Sequence, residues 1–214
     1  LKVIGVDESG KGDFFGPLVI AALMAPESQK DRLREIGAKD SKTVADSRVL
    51  AIDEELRREF VHSVIVIDPV EYNSRYEQIK NLNKFLAIGH ADAIAAVLAQ
   101  ESADLAISDK FGKSELIELQ LASRKIDIKL KQLTGGEAIA QVAAASILAR
   151  AEFIRSMKRL SDKFAIELPK GAAGHVDQAG RQFVRIHGAA KLREVAKLHF
   201  KNHGRVVATK LAGC

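Results

Sequence analysis

The sequence predicts an α/β protein, with a mixed sheet and helices on both of its faces. Three observations support this. Apolar runs of strand length stand at residues 3–6, 17–24 and 61–67. Two more, at 105–108 and 126–130, alternate with longer segments whose apolar residues recur every three or four positions. The chain then closes on helical patterns without another strand. Strands followed by alternating helix and strand favour helices layered on a sheet.

Taken in order, the first run ends in Asp7-Glu8-Ser9-Gly10-Lys11-Gly12. The second, Pro17-Leu18-Val19-Ile20-Ala21-Ala22-Leu23-Met24, is apolar at every position and reads as a strand buried on both faces. The short glycine-containing link between the two fits a hairpin-like connection. Residues 42–60 carry Val44, Val49, Ile52, Leu56 and Phe60 at near-helical spacing, and the third strand follows. Residues 81–100 repeat the helical pattern with Leu82, Phe85, Leu86, Ile94 and Leu98. A long helix is expected over 137–164, directly after Gly135-Gly136. Its small residues Ala143-Ala144-Ala145-Ser146 would let it lie close to a neighbour. Two shorter helices are expected within 176–199.

At 214 residues, the chain is expected to form a single domain, and 47% hydrophobic residues suffice for a substantial core. No run reaches the roughly 18–20 apolar residues of a membrane span, so no membrane association is expected. The opening residues lack the charged start and apolar core of a signal peptide. Cys214 is the only cysteine, which excludes a disulfide within the chain and points to a reducing cytoplasm. No zinc-type Cys/His spacing and no HExxH are present. The net charge is +5, unevenly spread. From Arg181 onward eight basic residues face one acid, so that segment carries +7 and the remainder −2. A basic end on a mildly acidic body suits a polyanion held beside an acidic centre, though a solvated basic helix would read the same way.

Adjacent carboxylates at a strand end suit hard divalent cations, which prefer oxygen ligands. The Gly-Lys-Gly beside them suits a phosphate backbone, because bare N–H groups can approach it closely. Gly5 to Lys11 also match the spacing of a P-loop, but the next residue should be Ser or Thr and is Gly12. Asp7 and Glu8 would moreover point negative charge at a nucleotide. A two-metal site needs further acids from separate segments. Asp109 ends the fourth strand, where ligands of open α/β sheets gather; a hydrogen-bonding strand-end aspartate is the plain alternative. Glu137 opens the long helix, where the helix dipole favours an acid without any function. Asp40-Ser41-Lys42 reads as a helix start, and Ser41 and Lys42 could equally touch a phosphate. Spacing alone does not decide among these.

The residues together resemble a family. Asp7-Glu8-Ser9-Gly10-Lys11-Gly12-Asp13-Phe14-Phe15-Gly16-Pro17-Leu18 resembles the opening block of ribonuclease HIII, a type 2 ribonuclease H; ribonuclease HII has arginine in place of Lys11. Asp40-Ser41-Lys42, Tyr72-Asn73, Asn81-Leu82-Asn83, Gly89-His90 and Asp109-Lys110-Phe111 are similar to later blocks, in order. So are Glu137 with residues 142–150, Leu168-Pro169-Lys170-Gly171, and Val195-Ala196-Lys197-Leu198-His199-Phe200-Lys201-Asn202. Three features depart from the pattern. The sequence starts just before the first strand, so the N-terminal substrate-binding domain usual in that family is expected to be absent. The fourth acid is Glu137 where ribonuclease HII has aspartate. Lys110 stands where glutamine is usual.

The resemblance implies a ribonuclease H-like fold with a five-stranded mixed sheet and a basic helical C-terminal region over about 176–214. It implies a monomeric, metal-dependent endoribonuclease that cuts the RNA strand of RNA–DNA hybrids, leaving 5′-phosphate and 3′-hydroxyl ends. Asp7, Glu8, Asp109 and Glu137 would be catalytic and would hold two Mg²⁺ or Mn²⁺ ions, one activating water and the other stabilising the leaving oxygen. Ser9, Gly10, Lys11, Gly12, Ser41, Lys42 and Ser146 would meet the substrate, the glycine backbone reading the 2′-hydroxyl. Asp13 is expected to be structural, and His90 and His199 to be core or capping hydrogen bonders on helices. The alternatives are ribonuclease HII-like nicking at single ribonucleotides in duplex DNA and a hybrid-binding module without catalysis.

Overall fold

A computed structural model describes residues 1–38, 44–113 and 115–208, and of Glu137 the main chain only. The chain divides into two compact units. The first comprises Leu1–Ser9, Val19–Ile65 and Asn81–Glu152; the second comprises Gly10–Leu18, Val66–Lys80 and Phe153–Cys214.

The sheet has five strands: β1 (Lys2–Ser9), β2 (Leu18–Pro26), β3 (Val61–Ile67), β4 (Leu105–Asp109) and β5 (Lys129–Leu133), in the spatial order β3-β2-β1-β4-β5. β1 is antiparallel to β2 and parallel to β4, which is parallel to β5, so the sheet is mixed as expected. β2 is buried over all but its last residue, as its unbroken apolar run requires. β5 lies three residues later than the sequence suggested. Its register with β4 selects Lys129–Leu133, an alternation of half-buried and exposed positions suited to a sheet edge.

In the first unit α1 (Lys30–Ile36) and α2 (Asp46–Glu59) lie between β2 and β3. α1 ends on Gly37 in the left-handed conformation (φ 113°). The second unit contributes α3 (Pro69–Ile79), which the sequence reading missed although its start is marked: Asp68 caps the Glu71 N–H at 2.9 Å, and Pro69 occupies the first turn. α4 (Leu82–Leu98) begins at Asn81, whose side chain accepts the Lys84 N–H at 3.0 Å. α5 (Glu115–Ser123) precedes β5. The long helix α6 (Ala140–Phe164) starts later than expected. Gly135 (φ 72°) turns the chain into a short 3-10 segment, Gly136–Ala138, so Glu137 stands before the helix and not in its first turn.

Two glycines of the first unit set how closely helices approach the sheet. A Cβ on Gly5 of β1 would lie 2.1 Å from the Gln141 carbonyl carbon of α6. A Cβ on Gly89 of α4 would lie 2.0 Å from Ile20 Cδ1 of β2. Val3, Ile107 and Val142, with Leu105 and Ile139 against them, form an apolar cluster of β1, β4 and α6. Gly5, read from spacing as a possible P-loop glycine, is thus a packing residue.

In the second unit α7 (Gly174–His187), a 3-10 segment (Ala189–Glu194) and α8 (Lys201–Val207) replace the two helices expected over 176–199. Buried Asp177 accepts from Asn202 Nδ2 at 2.6 Å and from Arg205, whose guanidinium holds the carboxyl below its ordinary range. Lys197 is fully buried, which lysine rarely tolerates unpaired, and burial pushes its ammonium down to about 7 from an ordinary 10.5. Between those values the unfolded chain holds a proton that the folded chain has released, so folding stability should rise with pH from 7 to 10.5. The Asp13 charge, which favours the ammonium, offsets part of this burial effect. Urea melts at pH 7 and 9.5 should show the gain in the wild-type chain and a smaller one in Lys197→Met; equal gains would remove Lys197 as the source.

Candidate active site

Strand pairing places the acids. In the parallel β1–β4 ladder Val6 is level with Ser108, so Asp7 and Asp109 are the next positions on neighbouring strand ends. Side chains alternate between faces along a strand. Asp7 therefore shares its face with Val3 and Gly5, the face covered by α6, and Asp109 follows Ile107 on that same face. Glu8 points to the opposite face, opposite Ile20 of β2, where α4 lies.

Asp7 is half-buried. Its Oδ1 accepts the Glu8 N–H at 2.8 Å, and the Ser146 hydroxyl of α6 also donates to it. Burial and the Glu8 charge push its carboxyl up to about 6, against these hydrogen bonds and the attraction of His90. Asp109 Oδ1 accepts the Gly136 N–H at 3.0 Å. A Cβ on Gly136 would stand 3.1 Å from the Asp109 Cα, so the segment carrying Glu137 passes directly over this strand end. Glu8 is held by His90, whose Nε2–H donates to Glu8 Oε2 at 3.0 Å. The Ser108 hydroxyl lies 3.0 Å from His90 Nδ1 and 2.9 Å from the Asp109 carbonyl oxygen. Phe111 packs on the imidazole at 4.7 Å between centroids. His90 is fully buried, a core hydrogen bonder on its helix as expected, and the carboxylate it holds is Glu8.

The structure thus brings Asp7, Asp109 and Ser146 together on one face, with Glu8 beside them on the other. Ser146, expected among substrate contacts, hydrogen-bonds an acid. Among the described residues no three of His, Cys, Asp and Glu converge closely enough to hold a metal, because Glu8 is turned to α4 and Glu137 is described in its main chain only. The donor chemistry nevertheless fits a hard cation: two carboxylates on adjacent strand ends, one of them raised by burial and a like charge. Ser41 and Lys42 lie outside the described residues.

Ser9 ends β1, and Gly10, Lys11 and Gly12 belong to the second unit. There Gly10 (φ 88°) would set a Cβ 2.2 Å from the Pro17 carbonyl oxygen, so both ends of the loop touch. Gly12 has open space around it and is exposed. Asp13 accepts the Gly171 N–H at 2.6 Å, a structural bond. His199 lies outside any helix, with its Nε2 3.2 Å from the Tyr72 hydroxyl, and burial and Lys197 hold its imidazole below its ordinary range. The basic tail also needs correction. Lys197 is internal and Arg205 pairs with Asp177, so Arg185, Arg193 and Lys201 are the exposed cations better placed to meet a polyanion.

The mixed sheet thus carries carboxylates at the ends of two neighbouring parallel strands, β1 and β4. The Ribonuclease HII family model matches residues 4–203, and the chain belongs to that family. Ribonuclease HIII of Protochlamydia amoebophila is 40% identical over 198 residues, covering 92% of this chain and 66% of that protein. A crystal structure of Bst-RNase HIII in complex with Mn²⁺ superposes with a TM-score of 0.91 at 32% identity, over 98% of this chain and 70% of that one. The ribonuclease H2 of Pyrococcus horikoshii shares the fold, with a TM-score of 0.83 at 22% identity over 98% of both chains. The chain spans about two thirds of the length of the curated relative. No described helix is long and apolar enough to cross a membrane.

Proposed function

We propose that this chain cleaves the RNA strand of RNA–DNA hybrids endonucleolytically, leaving 5′-phosphate and 3′-hydroxyl ends, with Mg²⁺ or Mn²⁺ held by Asp7, Glu8, Asp109 and Glu137. The observation that carries this reading is the parallel register that sets Asp7 beside Asp109, together with the raised Asp7 carboxyl. Bound divalent ions supply positive charge to the scissile phosphate and a more acidic attacking water. The chain's own residues hold and orient the donors. Ser146 and the Glu8 N–H fix Asp7, the Gly136 N–H fixes Asp109, and His90 fixes Glu8. Ser9 and the Gly10-Lys11-Gly12 turn meet the RNA backbone, where glycine amides can reach the 2′-hydroxyl and Lys11 a phosphate; Ser41 and Lys42 are proposed phosphate contacts. Exposed arginines and lysines of the C-terminal region add a salt-sensitive, sequence-independent grip. A monomer in the reducing cytoplasm fits a chain with one cysteine.

A labelled hybrid incubated with Mg²⁺ or Mn²⁺ tests the reading. RNA cut within a run of four or more ribonucleotides, with a single embedded ribonucleotide cut poorly, is the expected result; intact RNA under both metals ends the catalytic reading. Protons compete with metal at a raised carboxyl, so the metal concentration for half-maximal rate should climb below pH 6, approaching about tenfold per pH unit for one group. His90→Ala should raise that concentration or lower the rate by about 10–100-fold, as loss of a ligand's orienting partner commonly does. A rate and metal response matching the wild type would assign His90 to packing alone.

A further inference from the structure

The second unit contains a buried lysine that the chemistry proposed above does not use. Lys197 is fully buried, and its Nζ donates to the carbonyl oxygens of Asp13 at 2.9 Å and Gly16 at 2.7 Å. It also stands 5.5 Å from the centroid of the Tyr72 ring, within reach of a cation–π attraction. Both carbonyls belong to the loop that begins at Gly10. The main chain around Lys197 grips the same loop. The Lys197 N–H donates to the Phe14 carbonyl at 2.8 Å, the Gly16 N–H donates to the Val195 carbonyl at 2.8 Å, and Phe15 bridges Ala196 in antiparallel fashion. From the other side the Phe14 N–H donates to the Gly171 carbonyl at 2.9 Å, and Asp13 accepts from the Gly171 N–H. Phe14 and Phe15 are fully buried. The loop is therefore tied down from Asp13 to Gly16, while Lys11 and Gly12 remain at its outer end.

Packing alone does not explain a lysine here. Removing a charge from water is costly, and apolar replacements of buried ions are often neutral or stabilising. A hydrophobic residue at this position would leave the buried Gly16 carbonyl and the part-buried Asp13 carbonyl without this donor. What Nζ supplies beyond packing is a fixed distance between two main-chain oxygens three residues apart, which sets the curvature of the turn.

We propose that Lys197 is a positioning residue for substrate: by pinning the Asp13 and Gly16 carbonyls it holds the Gly10-Lys11-Gly12 turn in the shape that meets the RNA backbone. The proposal rests on the reading of that turn as a substrate contact. Lys197 touches neither substrate nor metal, so its loss should act on hybrid binding and spare the chemical step. In Lys197→Met the KM for a hybrid should rise at least tenfold while kcat stays within threefold, and Lys197→Arg, which keeps a buried donor, should fall between. Val206→Ala, a cavity at the α7–α8 contact where Val206 meets Gly180, supplies a destabilised control whose KM should not move. If Lys197→Met does not fold, Lys197→Arg and Lys197→Gln carry the same comparison, with KM ordered wild type, Arg, Gln. Lys11→Ala separates the two levels. Unchanged KM in Lys11→Ala removes the substrate role of the turn and the proposal with it. Raised KM in Lys11→Ala beside unchanged KM in the Lys197 variants overturns the positioning role alone, as would a Val206→Ala KM that rises in step with Lys197→Met.

Discussion

Asp7→Asn is expected to lower hybrid cleavage by at least about 10³-fold, on the order of 4 kcal/mol of transition-state stabilisation, while leaving the fold in place. Asparagine keeps an oxygen that can accept from the Glu8 N–H and the Ser146 hydroxyl, the two bonds that hold Asp7. It removes the negative charge, which is what a hard cation requires from this position. The same change should stabilise the metal-free protein. The Asp7 carboxyl is raised to about 6 in the fold against an ordinary 3.8, so the folded chain binds the extra proton between those values and its stability falls as pH rises through that window. At pH 7 the ionised carboxylate is a cost, and Asp7→Asn should recover about 1–3 kcal/mol of it. Thermal melts in chelator and in Mg²⁺ check this: the variant should melt higher than wild type without metal and gain less when metal is added. Near-normal turnover in Asp7→Asn would take Asp7 out of the metal site. A variant less stable than wild type in chelator would show that the carboxylate is not strained by its surroundings.

The order of strands and helices was legible because burial writes its period into the sequence. β2 is apolar throughout because both its faces are covered, and α4 carries its apolar residues all round for the same reason. Asp7 and Asp109 were legible as strand-end acids, since Asp7 directly follows an apolar run and Asp109 follows one with only Ser108 between. What the sequence did not disclose depends on contacts between distant residues. The alternation that separates Glu8 from Asp7 follows from strand geometry, but the partner on the far face, His90, comes from a helix 82 residues away. Lys197 reads as one more cation in a basic tail, and only its carbonyl partners, more than 180 residues back, show that it is internal. Glu137 was placed in a helix because two glycines preceded it. The left-handed turn at Gly135 instead spends those residues on a 3-10 segment that crosses the end of β4.

Gly5, which matches the spacing of a P-loop that Gly12 already argues against, carries the second large expected effect. A Cβ there would stand 2.1 Å from the Gln141 carbonyl carbon, 2.3 Å from its oxygen and 2.3 Å from the Val142 nitrogen. All three are main-chain atoms, so no side-chain rotation relieves the overlap and α6 must move away from β1. The displacement reaches the site by simple geometry. Asp7 lies two residues beyond Gly5 along the strand, about 6.7 Å, and Ser146 lies four residues beyond Val142 along the helix, about 6 Å. The two contacts therefore sit at matching distances along the same strand–helix interface, and separating one separates the other. Gly5→Ala should destabilise the protein by more than about 3 kcal/mol, at the upper end of overpacking costs. In the molecules that still fold it should lower cleavage at least about tenfold, by withdrawing the Ser146 hydroxyl from Asp7. Gly174→Ala, at the start of α7 with open space around it, should be neutral or slightly stabilising. The two substitutions add the same methyl group, so a difference between their urea midpoints reports the close approach of α6 and not the chemistry of alanine. A Gly5→Ala midpoint equal to that of Gly174→Ala would mean that α6 does not lie against β1 at this distance, and the hydrogen bond from Ser146 to Asp7 would lose its geometric basis as well.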